Sequence, residues 1–332
     1  MRRLVFLMAL LGCGAIAAQD PDHFLATGLL LNPATSGFAP GGRVLLLHQD
    51  PWLQSPGTWP NDALAAEWSL RNSRKQVDSW MGLGLIAARA RPGAEGARIA
   101  SVGLVPAVHL RSGPRSWFSS GLELRWANGQ FGEAEGSWAS QYTDGAYHAA
   151  LPSGEAWTAS SASWLEARAG LCWTLKQEAE SRFRRQRDVL VAGVAVDHPG
   201  RLLLHQEGSL PEPAPMRFTA HVLAEWPLAG WENGFLSGEC VGQAQGPFRT
   251  ARLGLFAGKH LLNRAPTSGG PPPVGFKAGV GYRWNDALLA SACVDIGQVG
   301  IGMAYGWGIS GRDAAVAGAR SVELLLQLRS VR

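Results

Sequence analysis

Between Val274 and Ile309 apolar residues alternate with small or polar ones in three consecutive runs. Val274, Phe276, Ala278, Val280, Tyr282 and Trp284 share one face, and Gly275, Lys277, Gly279, Gly281, Arg283 and Asn285 the other. Successive side chains of a β-strand point to opposite faces, so this period of two predicts a strand with one apolar face. After Asn285-Asp286 the pattern restarts with Leu288, Ala290, Ala292, Val294 and Ile296 against Ser291, Cys293 and Asp295. After Gly297-Gln298 it restarts again, with Val299, Ile301, Met303, Tyr305, Trp307 and Ile309 against glycines and an alanine. Turns this short join antiparallel neighbours, which predicts a meander. The apolar faces finish in aromatic pairs, Tyr282 with Trp284 and Tyr305 with Trp307. Trp and Tyr settle at the headgroup level of a bilayer, so the apolar face reads as lipid-facing and the other as luminal.

The same period recurs at 43–49, 63–71, 81–87, 99–111, 117–128, 164–176, 189–198, 216–228, 235–243, 249–260 and 320–329. The sharpest contrast runs from Trp164 to Lys176, with Leu165, Ala167, Ala169, Leu171, Trp173 and Leu175 opposite Glu166, Arg168, Gly170, Cys172, Thr174 and Lys176. Pro106 interrupts one run and requires a bulge or a weak pairing point, because proline cannot donate to a ladder. The count is about fourteen, even as in single-chain bacterial barrels. The prediction is an all-β fold, a transmembrane antiparallel outer-membrane β-barrel over residues 43–332. Even closure puts both termini in the periplasm. It makes Asp50–Asp62, Gly129–Ser163 and Pro199–Pro215 long external loops. The Pro/Gly-rich stretch 19–42 is expected as a periplasmic N-terminal segment. The rival is a secreted soluble sandwich, whose inner faces are also apolar. Against it, Trp68, Trp126, Trp173, Trp226, Trp284 and Trp307 recur near strand ends on the apolar face, while the opposite face carries opposed charges such as Glu123/Arg125 and Glu166/Arg168.

Composition sharpens this picture. Hydrophobic residues make up 46% of the 332 and charged ones only 17%, low for a soluble protein. No run of about 18 apolar residues follows the N-terminus, so a closed barrel is the remaining way to span lipid. Residues 1–18 read as a signal peptide: Arg2 and Arg3, an apolar core from Leu4 to Leu11, then Ala15-Ile16-Ala17. Leu10-Leu11-Gly12-Cys13 is also similar to a lipoprotein cleavage box. The formal charge of +4, less Arg2 and Arg3, gives a weakly basic mature chain and no expectation of a nucleic-acid partner. Cys172, Cys240 and Cys293 have no metal-type spacing and leave one unpaired, which suits small residues filling strand positions.

Catalytic patterns are missing. The chain has no G-x-S-x-G and no H-E-x-x-H. Gly279-x-Gly281 and Gly300-x-Gly302 lack a third glycine and a following helix. His109, His221 and His260 fall on inward faces, where lining a polar lumen explains them. Glu133 and Glu135 read as a solvated loop. No catalytic residue, cofactor or metal is therefore expected. The run Arg182, Arg184, Arg185 and Arg187 falls on a periplasmic turn by this threading, and is a candidate dock for an acidic partner surface.

Short motifs carry a family resemblance. Gln19-Asp20-Pro21, Phe24, Asn32-Pro33-Ala34 and Gly37 resemble the start of the PorP/SprF family. Trp80-Met81-Gly82-Leu83-Gly84-Leu85, Gly281-Tyr282-Arg283 with Asp286-Ala287, Gly302 to Tyr305, and Val322-Glu323-Leu324 are similar to later family segments. Tyr305 is followed by Gly306 where the family often has Asp. The resemblance implies an outer-membrane component of the type IX secretion and gliding machinery of Bacteroidetes. It implies anchoring, not chemistry: contact with outer-membrane lipid, with periplasmic secretion components and with a secreted adhesin or cargo protein. The alternative is an outer-membrane transport channel for a small or hydrophobic solute.

Overall fold

A computed structural model describes residues 28–51, 53, 60–71, 78–91, 98–131, 142–143, 146–148, 151, 160–178, 187–207, 215–228, 230–261, 274–309 and 320–330. The signal peptide and residues 19–27 lie outside them. Among the described residues, sixteen strands follow one short helix, α1 (Gly28–Leu31), and a 3-10 turn (Pro33–Thr35). They are β1 (Gly42–Asp50), β2 (Asn61–Ser69), β3 (Ser79–Ala90), β4 (Arg98–Gly113), β5 (Ser116–Phe131), β6 (Tyr142–Thr143), β7 (Ala146–Tyr147), β8 (Ser160–Glu178), β9 (Arg187–Glu207), β10 (Arg217–Pro227), β11 (Gly234–Gln245), β12 (Phe248–His260), β13 (Val274–Arg283), β14 (Ala287–Ile296), β15 (Val299–Gly308) and β16 (Arg320–Ser330).

Fourteen of these close a barrel, each paired with its neighbour along the chain, and β1 seals against β16 with Gly42 opposite Ser330. The small β6–β7 hairpin pairs only with itself. The expected antiparallel barrel and its strand number are what the structure shows. Closure leaves no strand edge unpaired, which a bilayer demands.

The faces divide as the period of two requires. Leu46, Leu64, Leu104, Leu124, Val194, Phe218, Leu255, Val280, Ile301 and Leu324 are exposed on the outer wall. Inside sit His109, Glu123, Thr174, Asp197, Ser237 and Glu323, all buried. An exterior of large apolar side chains around a polar interior is the reverse of a soluble fold. Trp68, Trp126, Trp173, Trp226, Trp284 and Trp307 all point outward. Register places Trp68, Trp173 and Trp226 toward the end that holds the chain termini, and Trp126, Trp284 and Trp307 toward the other. Two aromatic girdles result.

Three local expectations need correction or refinement. The long loop expected at 129–163 is shorter, because β5 runs to Phe131 and β8 begins at Ser160. The strand expected to end at His198 continues through Pro199 to Glu207. Pro199 is tolerated because the β8–β9 register shifts between Glu166 and Arg168, beside His198 with φ 57°. Pro106 is handled more simply: the β4–β5 ladder skips Val105 and Pro106 and resumes in register at Ala107.

The third concerns residues 19–42. Their described part, from Gly28 onward, does not stand outside the barrel. Residues 28–38 run through the lumen, with Leu29, Asn32, Ala34 and Ser36 each at most 2% exposed. The sequence pattern hid this, because eleven residues with one turn of helix have no sustained period to read.

Candidate functional site in the lumen

The luminal segment begins as one helical turn, Gly28 to Leu31. Pro33 then occupies the first position of the 3-10 turn, where its missing N–H costs nothing. Asn32 caps that turn, its Oδ1 accepting from the Ala34 N–H at 2.9 Å. Gly37 has φ 63°, a left-handed conformation, and a Cβ there would strike the Trp68 carbonyl and Gly82.

Asn32 and Ser36 reach the barrel wall, while Thr35 Oγ1 donates to the Asn32 carbonyl within the segment at 2.8 Å. Asn32 Nδ2 lies 3.1 Å from the Leu171 carbonyl, 3.2 Å from the Val194 carbonyl and 3.0 Å from His221 Nε2. Ser36 Oγ donates to the Val105 carbonyl at 2.9 Å. The Gly37 N–H donates to Glu67 Oε2 at 2.9 Å, and Glu67 is ion-paired to Arg43. Trp80 Nε1 donates to the Gly37 carbonyl at 3.1 Å. The Ser36 carbonyl can only accept, so His109 Nε2 donates to it at 2.8 Å, and the neutral ring takes the Ser119 hydroxyl hydrogen on Nδ1 at 2.8 Å.

The apolar side chains are matched as well. Leu29 joins Leu45, Leu47, Ala65, Ile86, Val105 and Leu325 in one cluster, and Leu31 joins Leu223 and Val241 in another. Phe38 packs against Trp80, His109 and Trp117, with Lys176 Nζ 4.3 Å from its ring centre. Eleven residues thus tie β1–β5 and β16 to β8–β11 across the barrel.

The wall is cut to receive them. Inward-facing Gly82, Gly121, Gly170 and Gly193 sit where the segment comes closest. A Cβ at Gly82 would fall on the Ser36 carbonyl, at Gly121 on the Pro33 carbonyl, and at Gly170 on Asn32 Oδ1. At Gly193 it would come within 2.5 Å of His221 Nε2. Glycine is the only residue without that atom.

A charged network extends the seat. Arg125 Nε donates to Glu123 Oε1 at 2.8 Å and its Nη1 to Glu166 Oε1 at 3.1 Å. Arg168 is ion-paired to Asp197, lies 3.4 Å from Glu123 Oε2, and donates from Nη2 to the Leu30 carbonyl at 2.7 Å. Arg217 closes the chain on Asp197 at 2.8 Å. Charges this buried persist only when paired, and here each has a partner on a different strand or two residues along its own.

The residues singled out from sequence fare unevenly. His109 and His221 both contact the luminal segment, as hydrogen-bonding wall residues. His260 stacks on Phe235, 5.2 Å between ring centres, away from them. Cys172 is buried inward, Cys293 half-buried and Cys240 exposed, and all three are free. Among the described residues no group of three or more His, Cys, Asp or Glu could hold a metal ion. Arg182, Arg184 and Arg185 lie outside the described residues. Arg187 opens β9 opposite Glu178. The seat itself escaped sequence reasoning, although its signal was present: glycines recur on the inward face of neighbouring strands, and Asn32-Pro33-Ala34 stands out in an otherwise patternless stretch.

No curated protein matches the chain. Solved outer-membrane barrels are similar to it in outline. The P. putida toluene transporter TodX shares 10% identity over 92% of this chain and 94% of that chain, with a TM-score of 0.47. A Pseudomonas aeruginosa FadL homologue shares 11% over 92% and 94%, with a TM-score of 0.43. The translocator domain of the autotransporter NalP from Neisseria meningitidis shares 12% over 88% and 89%, with a TM-score of 0.41. The family model described as "Type IX secretion system membrane protein PorP/SprF" matches residues 15–177. That span holds the luminal segment, its seat on β2–β5 and nearly all of β8. A closed barrel with an apolar exterior and this family match is an outer-membrane protein. Through residues 15–177, just under half of its length, the chain is similar to the PorP/SprF family of type IX secretion system membrane proteins.

Proposed function

We propose that this protein is a non-enzymatic frame of the type IX secretion and gliding machinery, which anchors or docks periplasmic ring components and secreted surface proteins. The observation that carries this reading is the luminal brace. A segment bonded to opposite walls stiffens the barrel and crosses the lumen between them, which suits a fixed mount better than a solute path. The end holding the chain termini faces the periplasm, because the longest connection, between β5 and β8, leaves from the opposite end. On that orientation Arg182, Arg184 and Arg185, between β8 and β9 in the chain, and Arg187 at the start of β9 form a periplasmic dock for an acidic partner surface.

Two experiments test the reading. Wild-type protein in planar bilayers should pass little current, and deleting residues 28–38 should raise conductance. A large, steady wild-type conductance would instead favour a transport channel. Replacing the four arginines with glutamine should abolish pull-down of periplasmic secretion components while leaving the barrel folded. Unchanged pull-down removes the arginine dock and leaves the frame to be tested by conductance alone.

A further inference from the structure

The outer wall is not evenly convex. Across β15, β16 and β1–β5 it dips into an apolar concavity of about 740 Å³. Leu46, Leu64, Val102, Trp126, Ile301 and Leu324 line it and are all exposed, so it opens on the lipid side. Ala87 and Ala100 supply the room, being small residues at outward positions.

One edge of the concavity is polar. His48, Asp62 and Arg89 stand there on adjacent strands, at the end away from the termini. Asp62 Oδ1 lies 2.7 Å from His48 Nδ1, and Asp62 Oδ2 accepts from Arg89 Nε at 2.6 Å. Arg89 is held by Nε alone in this pair, and its side chain is 72% exposed. Arg91 and Arg98, also exposed, follow at the adjoining ends of β3 and β4. Arg89 therefore holds the carboxylate of Asp62, and the exposed Arg91 and Arg98 lie beyond it at the same rim, at the height where an apolar wall meets headgroups. A guanidinium fixed through Nε still presents its two terminal amino groups, the fork that takes a phosphate.

We propose that this concavity is a binding site for one anionic membrane lipid. Its acyl chains lie along Leu46, Leu64, Val102 and Leu324, and its phosphate sits on Arg89 with Arg98. Hydrocarbon contact alone would be met all round the barrel. The combination of a dip in the wall with a basic rim marks this sector.

The test uses the full chain in phosphatidylcholine vesicles doped with spin-labelled phosphatidic acid or spin-labelled phosphatidylcholine. The motion-restricted fraction is read by electron paramagnetic resonance. Phosphatidic acid should associate roughly 5-fold more strongly than phosphatidylcholine, on the order of one basic contact at the surface. In the double variant R89Q/R98Q that preference should vanish while the phosphatidylcholine fraction stays unchanged, which also shows that the barrel is intact. Ala100→Phe, which fills the dip but spares the rim, should lower the preference as well. Equal association of both lipids with wild type, or a preference that survives R89Q/R98Q, overturns the site. So does a Leu64→Cys chain that cross-links to a second copy through this face.

Discussion

At the scale of single residues, the inward glycines carry more information than the aromatics that first mark the membrane. Gly121 and Gly242 look alike in the sequence, each a glycine within an alternating strand. Their faces differ: Gly121 points into the lumen, where a Cβ meets the Pro33 backbone, and Gly242 shares the outward face of the exposed Cys240, where one meets nothing within 4 Å. Gly121→Ala should therefore push the luminal segment from its seat, and the N-terminal region should become open to added protease in detergent. Gly242→Ala should leave the cleavage pattern unchanged. Equal sensitivity in the two variants would mean that the close approach at Pro33 has no mechanical consequence.

Among elements, the connection that matters most is between the luminal segment and the β5–β8–β9–β10 wall. Arg168 is its junction, touching Glu123, Asp197 and the Leu30 carbonyl while only 3% exposed. Arg168→Met keeps the aliphatic stem and removes the charge, leaving two buried carboxylates short of a partner. Breaking a buried pair in this way costs about 3–5 kcal/mol. The loss should appear as a lower denaturant midpoint by tryptophan fluorescence of the reconstituted protein. A shift below about 0.5 kcal/mol, the range of ordinary surface changes, would show that Arg125 and Arg217 take over the neutralisation.

For the whole molecule, the decisive question is what the outer wall faces. Leu104 sits near the middle of β4, 52% exposed and paired with Leu124. In a water-soluble protein, Leu104→Arg would shift stability by no more than about 0.5 kcal/mol. At a bilayer midplane the same change costs about 2–4 kcal/mol. Folding efficiency in lipid vesicles, read by heat-modifiable gel migration, should drop for Leu104→Arg. It should hardly change for an arginine placed at Trp307, near one girdle. Equal behaviour at the two depths would contradict a membrane-spanning wall.

Much of this architecture was legible one strand at a time. A period of two, aromatic strand ends and opposed charges are local properties, and they specify strands, faces, the barrel and nearly all of its strand boundaries without any distant contact. The ends of β5, β8 and β9 were harder, because a strand can persist through glycine-rich or proline-containing sequence once a neighbour supplies its ladder. The brace was out of reach for a related reason. Asn32 bonds to Leu171, Val194 and His221, between 139 and 189 residues away, and no pattern of neighbouring residues encodes partners that far along the chain. Alternation thus determined which side chains face lipid and which face the lumen. Only closure of the barrel decided what the lumen holds, because closure alone brings the opposite walls within hydrogen-bonding distance of one short segment.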